Sequence, residues 1–398
     1  MSLRTRLWAR WTGAWALATA GPGRRWLLPL VGYALAHGVL FGAALAAGVD
    51  PRRPASWCQG DSGHYLSIAA RGYVLEPCGA SLGASLNDEP ACGNVGWLPG
   101  YPLVVRVLRG LGIGVRPAAL AVALLGGVAA LRLLWSLALG PGGGPSRTPA
   151  LGLLLAAAFF PGAFYQHAVF PVSLFMVLAL LCLEALSRGR WLAAGVAGAG
   201  AAFTYSSGIF LVLVAGLWCL GGGASGRFWR RFGPALAIGG AIALGLCAAL
   251  AWQRIAVGAW DGFFRLQAAY GHSLHNPVAT WWGRVSRLLP PGGEARSVLP
   301  AAQTLLVTGW MLTLAAGGLH ARGHLARMER VALVYSGVFW LLPLVLGAGL
   351  ALHRAEALLL PSLILWRRVP RGILTAFALG SVGVSWGMGV LFFRSALL

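Results

Sequence analysis

Charged residues are scarce in this sequence, and lysine is absent. Only 10% of the 398 residues are charged and only 10 are acidic, whereas 58% are hydrophobic. Soluble globular proteins carry about 25% charged residues. The scarcity of charge excludes a soluble domain of this size. It predicts an all-α fold, a polytopic helical membrane bundle formed by residues 1–398 as one domain.

The net charge is +21, and arginine supplies all of the positive charge because the sequence contains no lysine. Most arginines lie in short segments between apolar stretches, which is the pattern of cytoplasmic loops in membrane proteins. No basic stripe with interleaved aromatic residues lies on a soluble stretch, so nucleic acid is not an expected partner. The arginines at 50–117 and 254–296 do not fit the loop pattern and favour the phosphates of membrane lipids as partners.

Apolar stretches long enough to cross a membrane recur along the chain. They predict about eleven spans, near residues 26–48, 117–139, 150–166, 170–187, 191–205, 207–221, 233–256, 299–319, 332–350, 355–366 and 372–393. The arginines before the first span predict a cytoplasmic amphipathic arm at 1–25 and extracytoplasmic loops at 49–98 and 257–298. The lack of lysine favours a bacterial cytoplasmic membrane. In a eukaryote the same loops would face the lumen of the endoplasmic reticulum.

The six cysteines divide between one loop and the spans. Cys58, Cys78 and Cys92 fall in the first outer loop, whereas the other three fall in predicted spans as small apolar packing residues. A Cys78–Cys92 disulfide would close a loop of about fifteen residues, worth about 3 kcal/mol. The odd cysteine leaves the other pairings open. No zinc-ligand spacing is present.

The first outer loop holds half of the acidic residues and the segment DSGHYLSIAARGY at 61–73. The apolar positions of this segment follow a helical period, which predicts an interfacial helix with Asp61 near its start and His64 one turn on. In one interpretation Asp61 caps this helix. In the other, Asp61 is a general base that takes the proton of an acceptor hydroxyl.

This segment, followed by GWLPGYPLVVRVL, resembles the first-loop signature of the PIG-V-like mannosyltransferases. These are membrane glycosyltransferases of the GT-C superfamily, related to the second mannosyltransferase of GPI-anchor assembly. The matching positions are, in order, Asp61, His64, Tyr65, Ile68, Ala69, Gly72, Tyr73, Pro99, Tyr101 and Pro102. Looser similarities are FFPGAFYQHAVFPVSLF at 159–175, QAAYGHSLHNP at 267–277 and LHRAEALLLP at 352–361.

Several positions depart from the family pattern. Gly60 stands where the family usually has tryptophan, and Tyr205 stands where an arginine commonly precedes a turn. Phe170 and Val172 stand where tyrosine and glutamate are common. These departures concern the sugar and the acceptor more than the fold.

The resemblance implies an inverting transfer of a sugar, mannose in the family, from a polyprenyl-phosphate or dolichyl-phosphate donor. The acceptor would be a hydroxyl of a lipid-linked molecule or glycan at the extracytoplasmic face. Such a reaction needs a base, cationic groups for the phosphate leaving group and a groove for the lipid. No metal or other cofactor is expected, because the leaving group is a monophosphate and the loop lacks a compact carboxylate cluster.

The predicted catalytic base is Asp61, and Arg354, His64 and Arg71 are the predicted donor-phosphate ligands. The alternatives are an interfacial pairing of Arg354 with Glu356, a loop salt bridge for Arg71, and ordinary packing for His64. The predicted contacts of the acceptor or sugar are Tyr65, Glu76, Trp97, Tyr101, Tyr165, Gln166, His167, Gln267 and His272. For Trp97 and Tyr101 the alternative is anchoring at the membrane interface.

Two other functions fit a chain of this composition. A lipid or solute transporter would carry its polar residues at the bilayer midplane, in broken helices related by a repeat. In this sequence the ionisable residues concentrate in the outer loops, which favours the enzyme. An inactive assembly partner with the same scaffold is the third alternative, favoured by the departures from the family pattern.

Overall fold

The structure, a computed structural model, describes residues 24–76, 92–139, 147–220, 228–269, 273–289, 294–321, 323–347 and 351–397. Within these ranges the chain is almost entirely helical. The α-helices are α1 (Arg24–Ala46), α2 (Ser62–Arg71), α3 (Gly100–Gly110), α4 (Val115–Leu139), α5 (Arg147–Ala158), α6 (Val172–Ser187), α7 (Trp191–Thr204), α8 (Leu211–Leu220), α9 (Phe228–Val257), α10 (Gly262–Ala269), α11 (Pro277–Val285), α12 (Ala295–His320), α13 (Arg327–Val345), α14 (Leu352–Glu356) and α15 (Arg371–Phe393).

Short 3-10 helices and a two-stranded sheet complete the described secondary structure. The 3-10 helices are Pro54–Trp57, Ala163–Gln166, Ser206–Phe210, Ser286–Leu288 and Ala357–Arg368. Strand β1 (Leu75–Glu76) pairs antiparallel with β2 (Cys92–Gly93), with Leu75 opposite Gly93. The predicted interfacial helix in the first loop is present as α2, whereas α3 is not among the predicted elements.

Six described helices are long and apolar enough to cross a membrane: α1, α4, α9, α12, α13 and α15. Large apolar side chains such as Leu125 and Leu244 are exposed on these helices, as expected where a helix faces lipid. The protein is therefore an all-α membrane bundle. The other five predicted spans coincide with shorter helical segments, at 147–158, 172–187, 191–204, 206–220 and 352–368. The total of eleven crossings stays a prediction.

Helices α7 and α9 pack against each other through small residues. A Cβ atom added to Gly245 of α9 would stand 2.2 Å from the backbone oxygen of Ala199. On the facing helix, a Cβ atom at Gly198 would stand 2.6 Å from the side chain of Ile242. Membrane helices lack a hydrophobic driving force for association, so close approach at small residues is what stabilises such a pair.

Replacing Gly245 with alanine is expected to destabilise the protein by about 1–3 kcal/mol, because the new methyl group would force the two backbones apart. Gly240→Ala on the same helix is the matched control, because nothing lies within 4 Å of its added Cβ atom. This control is expected to be neutral or slightly stabilising. Thermal unfolding of both variants in detergent measures the difference, and equal melting temperatures would contradict the close packing.

Contacts between side chains show which helix ends and loops lie together at each end of the bundle. At one end Arg368 pairs with Glu329 at 2.7 Å, in the region where the sequence predicts cytoplasmic loops. At the other end the Ser395 hydroxyl donates to the Gln59 side chain at 2.7 Å, so the loop after α1 meets the end of α15. The first outer loop and α14 both lie at this second end.

Candidate functional site

The loop before α2 is held against the buried segment 159–170. The backbone N–H of Val169 donates to the carbonyl of Trp57 at 3.0 Å. The Ser62 hydroxyl donates in return to the carbonyl of Val169 at 2.9 Å. Trp57 and Ser62 are both buried, so these bonds fix the position of Asp61 between them.

Helix α14 is fixed by contacts on several sides. Gln303 donates from Nε2 to the carbonyl of His353 and to the carboxylate of Glu356, both at 2.8 Å. The Tyr165 hydroxyl and the His353 imidazole are hydrogen-bonded at 2.8 Å. Gly162 has a φ of +80°, and a Cβ atom there would stand 2.8 Å from the carbonyl of His353. Glycine therefore permits both the turn and the approach of α14.

Asp61 and Arg354 form an ion pair across 293 residues of sequence. Their side chains are 24% and 17% exposed, so the pair lies at the edge of the protein interior and remains open to a ligand. The Arg354 guanidinium stands over the Phe170 ring at 5.5 Å and the Tyr165 ring at 5.8 Å. Its Nε atom is buried and has no hydrogen-bond partner among the described residues. One N–H donor of Arg354 is thus unsatisfied inside the protein.

Two tyrosines complete the surroundings of the pair. Tyr65 and Tyr205 lie close enough to Arg354 to interact with it electrostatically, as Tyr165 does. Tyr65 is buried and contacts the Phe170 ring edge to face, with 6.3 Å between the centroids. The ion pair is therefore surrounded by aromatic rings, which strengthen its electrostatic interactions by limiting the access of water.

The structure contradicts two of the alternative interpretations. Asp61 stands at the N-cap position of α2, yet its carboxylate accepts no capping hydrogen bond. The interpretation of Asp61 as a helix cap is therefore wrong. The pairing of Arg354 with Glu356 is also wrong, because Arg354 pairs with Asp61 while Glu356 accepts from Gln303.

His64 lies beside the ion pair and stacks on Trp97. The two rings are 3.5 Å apart between centroids and inclined by 8°. Burial lowers the pKa of the His64 imidazole below its ordinary value, and the charge of Asp61 opposes this shift only in part. His64 is therefore a neutral ring at pH 7, able to donate or accept one hydrogen bond.

The lowered pKa of His64 predicts a dependence of stability on pH. As the pH falls below about 6.5, the unfolded chain binds a proton at this residue before the folded protein does, so stability decreases. His64→Phe keeps a ring on Trp97 and removes the titrating group. The melting temperature of the wild type relative to this variant should fall between about pH 7.5 and pH 5.5. Parallel melting curves across this range would contradict the shift.

Comparison with known proteins gives no family. No family model matches the chain, and no curated protein matches it. The resemblance noted in the sequence therefore remains a prediction, and the geometry of the site carries the functional argument.

The structure brings only some of the other predicted residues to the ion pair. Trp97 is close through its stacking on His64, and Gln267 donates to the carbonyl of Gly96 at 2.8 Å, next to Trp97. Tyr101 is fully buried, and its hydroxyl donates to the carbonyl of Ala119 at 2.7 Å. Tyr101 therefore packs beneath α2 and has no exposed surface for a substrate.

Gln166 and His167 are buried inside the bundle, away from the exposed side of the pair. The His167 ring stacks on Tyr33 with 4.0 Å between centroids. Its Nδ1 atom lies 3.3 Å from Nδ1 of His37. These two residues thus connect the segment 159–170 to the first span, whereas Tyr165 in the same segment faces Arg354.

Arg71 lies at the far end of α2 from Asp61. Helix geometry separates the two ends of this ten-residue helix by about 15 Å, and Arg71 donates to the Ser67 hydroxyl at 3.3 Å. The structure therefore does not bring Arg71 to the donor-phosphate site predicted for it. The side chain of Glu76, the nearest acidic residue in the sequence, lies outside the described residues, so the alternative of a loop salt bridge for Arg71 stays a prediction.

The remaining predicted residues lie wholly or partly outside the described residues. His272 and Cys78 are outside them, and of Glu76 only the backbone, in β1, is described. Cys92 is disulfide-bonded and Cys58 is free. In the described part of the chain no group of three or more His, Cys, Asp or Glu side chains could hold a metal ion. Independence from metal stays a prediction.

Sequence analysis missed the residues that position Arg354. Gln303 is a fully buried amide in the middle of the apolar helix α12, and this interruption of an apolar stretch is the signal that could have identified it. Phe170 and Tyr205 entered the sequence analysis only as departures from the family pattern. In the structure both residues lie beside Arg354.

Proposed function

We propose that the protein is a membrane glycosyltransferase that moves a sugar, mannose by the resemblance, from a polyprenyl-phosphate donor to a hydroxyl of a lipid-linked or glycan acceptor. The observation that carries the proposal is the Asp61–Arg354 pair. It places a carboxylate and a guanidinium with an unpartnered N–H side by side at one end of a membrane bundle. A base and a phosphate ligand are two of the features that this reaction requires.

In the proposed reaction Asp61 accepts the proton of the acceptor hydroxyl while the hydroxyl oxygen attacks the anomeric carbon of the sugar. The bond from that carbon to the phosphate oxygen breaks, and polyprenyl phosphate leaves with the electron pair. Attack on the face opposite the leaving group inverts the configuration of the anomeric carbon. Arg354, whose side chain is partly exposed, binds the phosphate oxygens through its guanidinium as their negative charge grows.

The donor phosphate is also proposed to separate Asp61 from Arg354. A phosphate at Arg354 competes with the Asp61 carboxylate for the same guanidinium, and this competition frees the carboxylate to accept a proton. The aromatic rings of Phe170 and Tyr165 keep the guanidinium in place during the exchange. The stacked rings of His64 and Trp97 form the adjacent wall, which suits contact with the acceptor.

The reaction site is proposed to face away from the cytoplasm. The Arg368–Glu329 end of the bundle carries the arginine-rich loops that the positive-inside pattern assigns to the cytoplasm, and Asp61 and Arg354 lie at the other end. A bacterial cytoplasmic membrane is the proposed location. Mannose as the sugar and a lipid-linked acceptor are the finer parts of the proposal.

Purified protein supplied with polyprenyl-phosphate mannose, radiolabelled in the sugar, and with total lipid of the host tests the proposal. We expect a new labelled lipid or glycan, formed equally with and without a metal chelator. Loss of product with the chelator would overturn independence from metal but not the transfer. Absence of product with several sugars would overturn the transferase.

A further inference from the structure

Three exposed arginines gather at the C-terminal end of α2: Arg71, Arg106 and Arg109, here called the arginine cluster. Arg106 donates from Nε and Nη2 to carbonyl oxygens of the last turn of α2, at 3.2 and 2.7 Å. Arg109 donates from Nη1 to the next carbonyl at 2.9 Å. The negative end of a helix dipole amounts to about half a charge, so it leaves most of the three positive charges uncompensated.

No carboxylate neutralises the arginine cluster in the described part of the chain. The described ion pairs include none of its three members. Other exposed arginines at the same end of the protein do have partners, since Arg53 pairs with Asp50 and Arg265 pairs with Asp261. Among the side chains that the structure describes, the arginine cluster is therefore a concentrated positive surface without a carboxylate partner.

Helix α3 carries an apolar flank beside the arginines. Val104, Val107 and Leu111 are 39%, 68% and 73% exposed. Their spacing of three and four residues places them on one side of α3, whereas Arg106 and Arg109 share another side. Exposed valine and leucine next to exposed arginine is the arrangement of a helix that lies in a membrane interface.

The position of α3 along the chain agrees with such a location. The span α4 begins only four residues after α3 ends at Gly110. Four residues reach at most about 14 Å, so the end of α3 lies close to the end of a predicted span.

We propose that the arginine cluster and the apolar flank of α3 bind an anionic phospholipid of the leaflet at the Asp61 end of the bundle. The guanidinium groups bind the phosphate oxygens, and the acyl chains lie along Val104, Val107 and Leu111. The length of α2 separates this lipid from Asp61 by about 15 Å. The lipid site is thus distinct from the proposed reaction centre and does not depend on the proposed function.

Native mass spectrometry of the purified protein, titrated with phosphatidylglycerol or with phosphatidylcholine of the same acyl chains, tests the proposal. The variant R71Q/R106Q/R109Q is expected to bind phosphatidylglycerol about tenfold more weakly or worse, with its binding of phosphatidylcholine unchanged. The matched control is R52Q/R53Q/R265Q, which removes three exposed arginines at the same end. This control is expected to bind both lipids as the wild type does.

Arg106 also bonds the backbone of α2, so two further variants guard against loss of folding. R71Q/R109Q leaves the Arg106 bonds in place and is expected to lose part of the affinity, whereas R71K/R106K/R109K keeps the charge and should retain most of it. Equal binding of phosphatidylglycerol by the wild type and both glutamine variants would overturn the proposal. Equal binding of phosphatidylglycerol and phosphatidylcholine by the wild type would also overturn the proposal. Full displacement of the lipid by millimolar inorganic phosphate would reassign the arginine cluster to a soluble phosphate.

Discussion

Asp61→Asn is expected to lower the rate of sugar transfer by about 10²–10⁴-fold, the usual contribution of a general base. Asparagine has nearly the same shape as aspartate but cannot accept the proton of the acceptor hydroxyl. Single-turnover transfer of radiolabelled mannose by the purified variant measures the loss. Donor binding should persist, because Arg354 and the aromatic rings around it remain.

Asp50→Asn is the matched control for this prediction. Asp50 lies in the same loop and pairs with Arg53, but its side chain is 48% exposed and it has no contact with Arg354. We expect this control to transfer sugar at the wild-type rate. Equal rates for the wild type and Asp61→Asn would remove Asp61 from the mechanism.

Arg354→Gln is expected to lower the transfer rate by about 10²–10³-fold, the loss seen when a group that stabilises a developing anion is removed. The binding of polyprenyl phosphate, which is the leaving group itself, should weaken as well, because the charged ligand of the phosphate is gone. Titration with polyprenyl phosphate and the transfer assay measure the two effects separately. Arg265→Gln, which removes an exposed arginine paired with Asp261, is the control and should change neither.

The double variant Asp61→Asn/Arg354→Gln separates a catalytic pair from a structural one. Each single change leaves a partly buried partner without its counter-charge, so each is expected to lower the melting temperature. The double variant removes both charges and should recover part of that stability while remaining inactive. Recovery of activity together with stability would show that the pair only holds the fold together.

Hydropathy and the distribution of arginine predicted most of the fold. Every predicted span coincides with a helical segment of the structure, because the period and length of apolar stretches are set by the thickness of the membrane. The alternation of spans also predicted that Asp61 and Arg354 lie on the same side of the membrane. The number of spans between two residues gives their side of the membrane but not the distance between them. Only the structure shows that the side chains of Asp61 and Arg354 are in contact.

The contacts that hold α14 in place could not be predicted from the sequence, because they join residues that are far apart in the chain. Gln303 of α12 donates to the carbonyl of His353 in α14, 50 residues later in the chain, and nothing local in either segment specifies that contact. The position of Arg71 was predictable from helix geometry alone. A residue ten positions after Asp61 on one helix stands about 15 Å away and cannot share a phosphate with it.

We propose that the protein transfers a sugar and does not carry the intact donor across the membrane. The most direct test follows a doubly labelled donor, with one isotope in the mannose and another in the polyprenyl chain, in sealed proteoliposomes that contain the acceptor lipids. We expect the labels to separate, with the sugar label entering a new product while the polyprenyl label stays in polyprenyl phosphate. Movement of both labels together to the opposite leaflet, with no new product, would contradict it and identify a transporter.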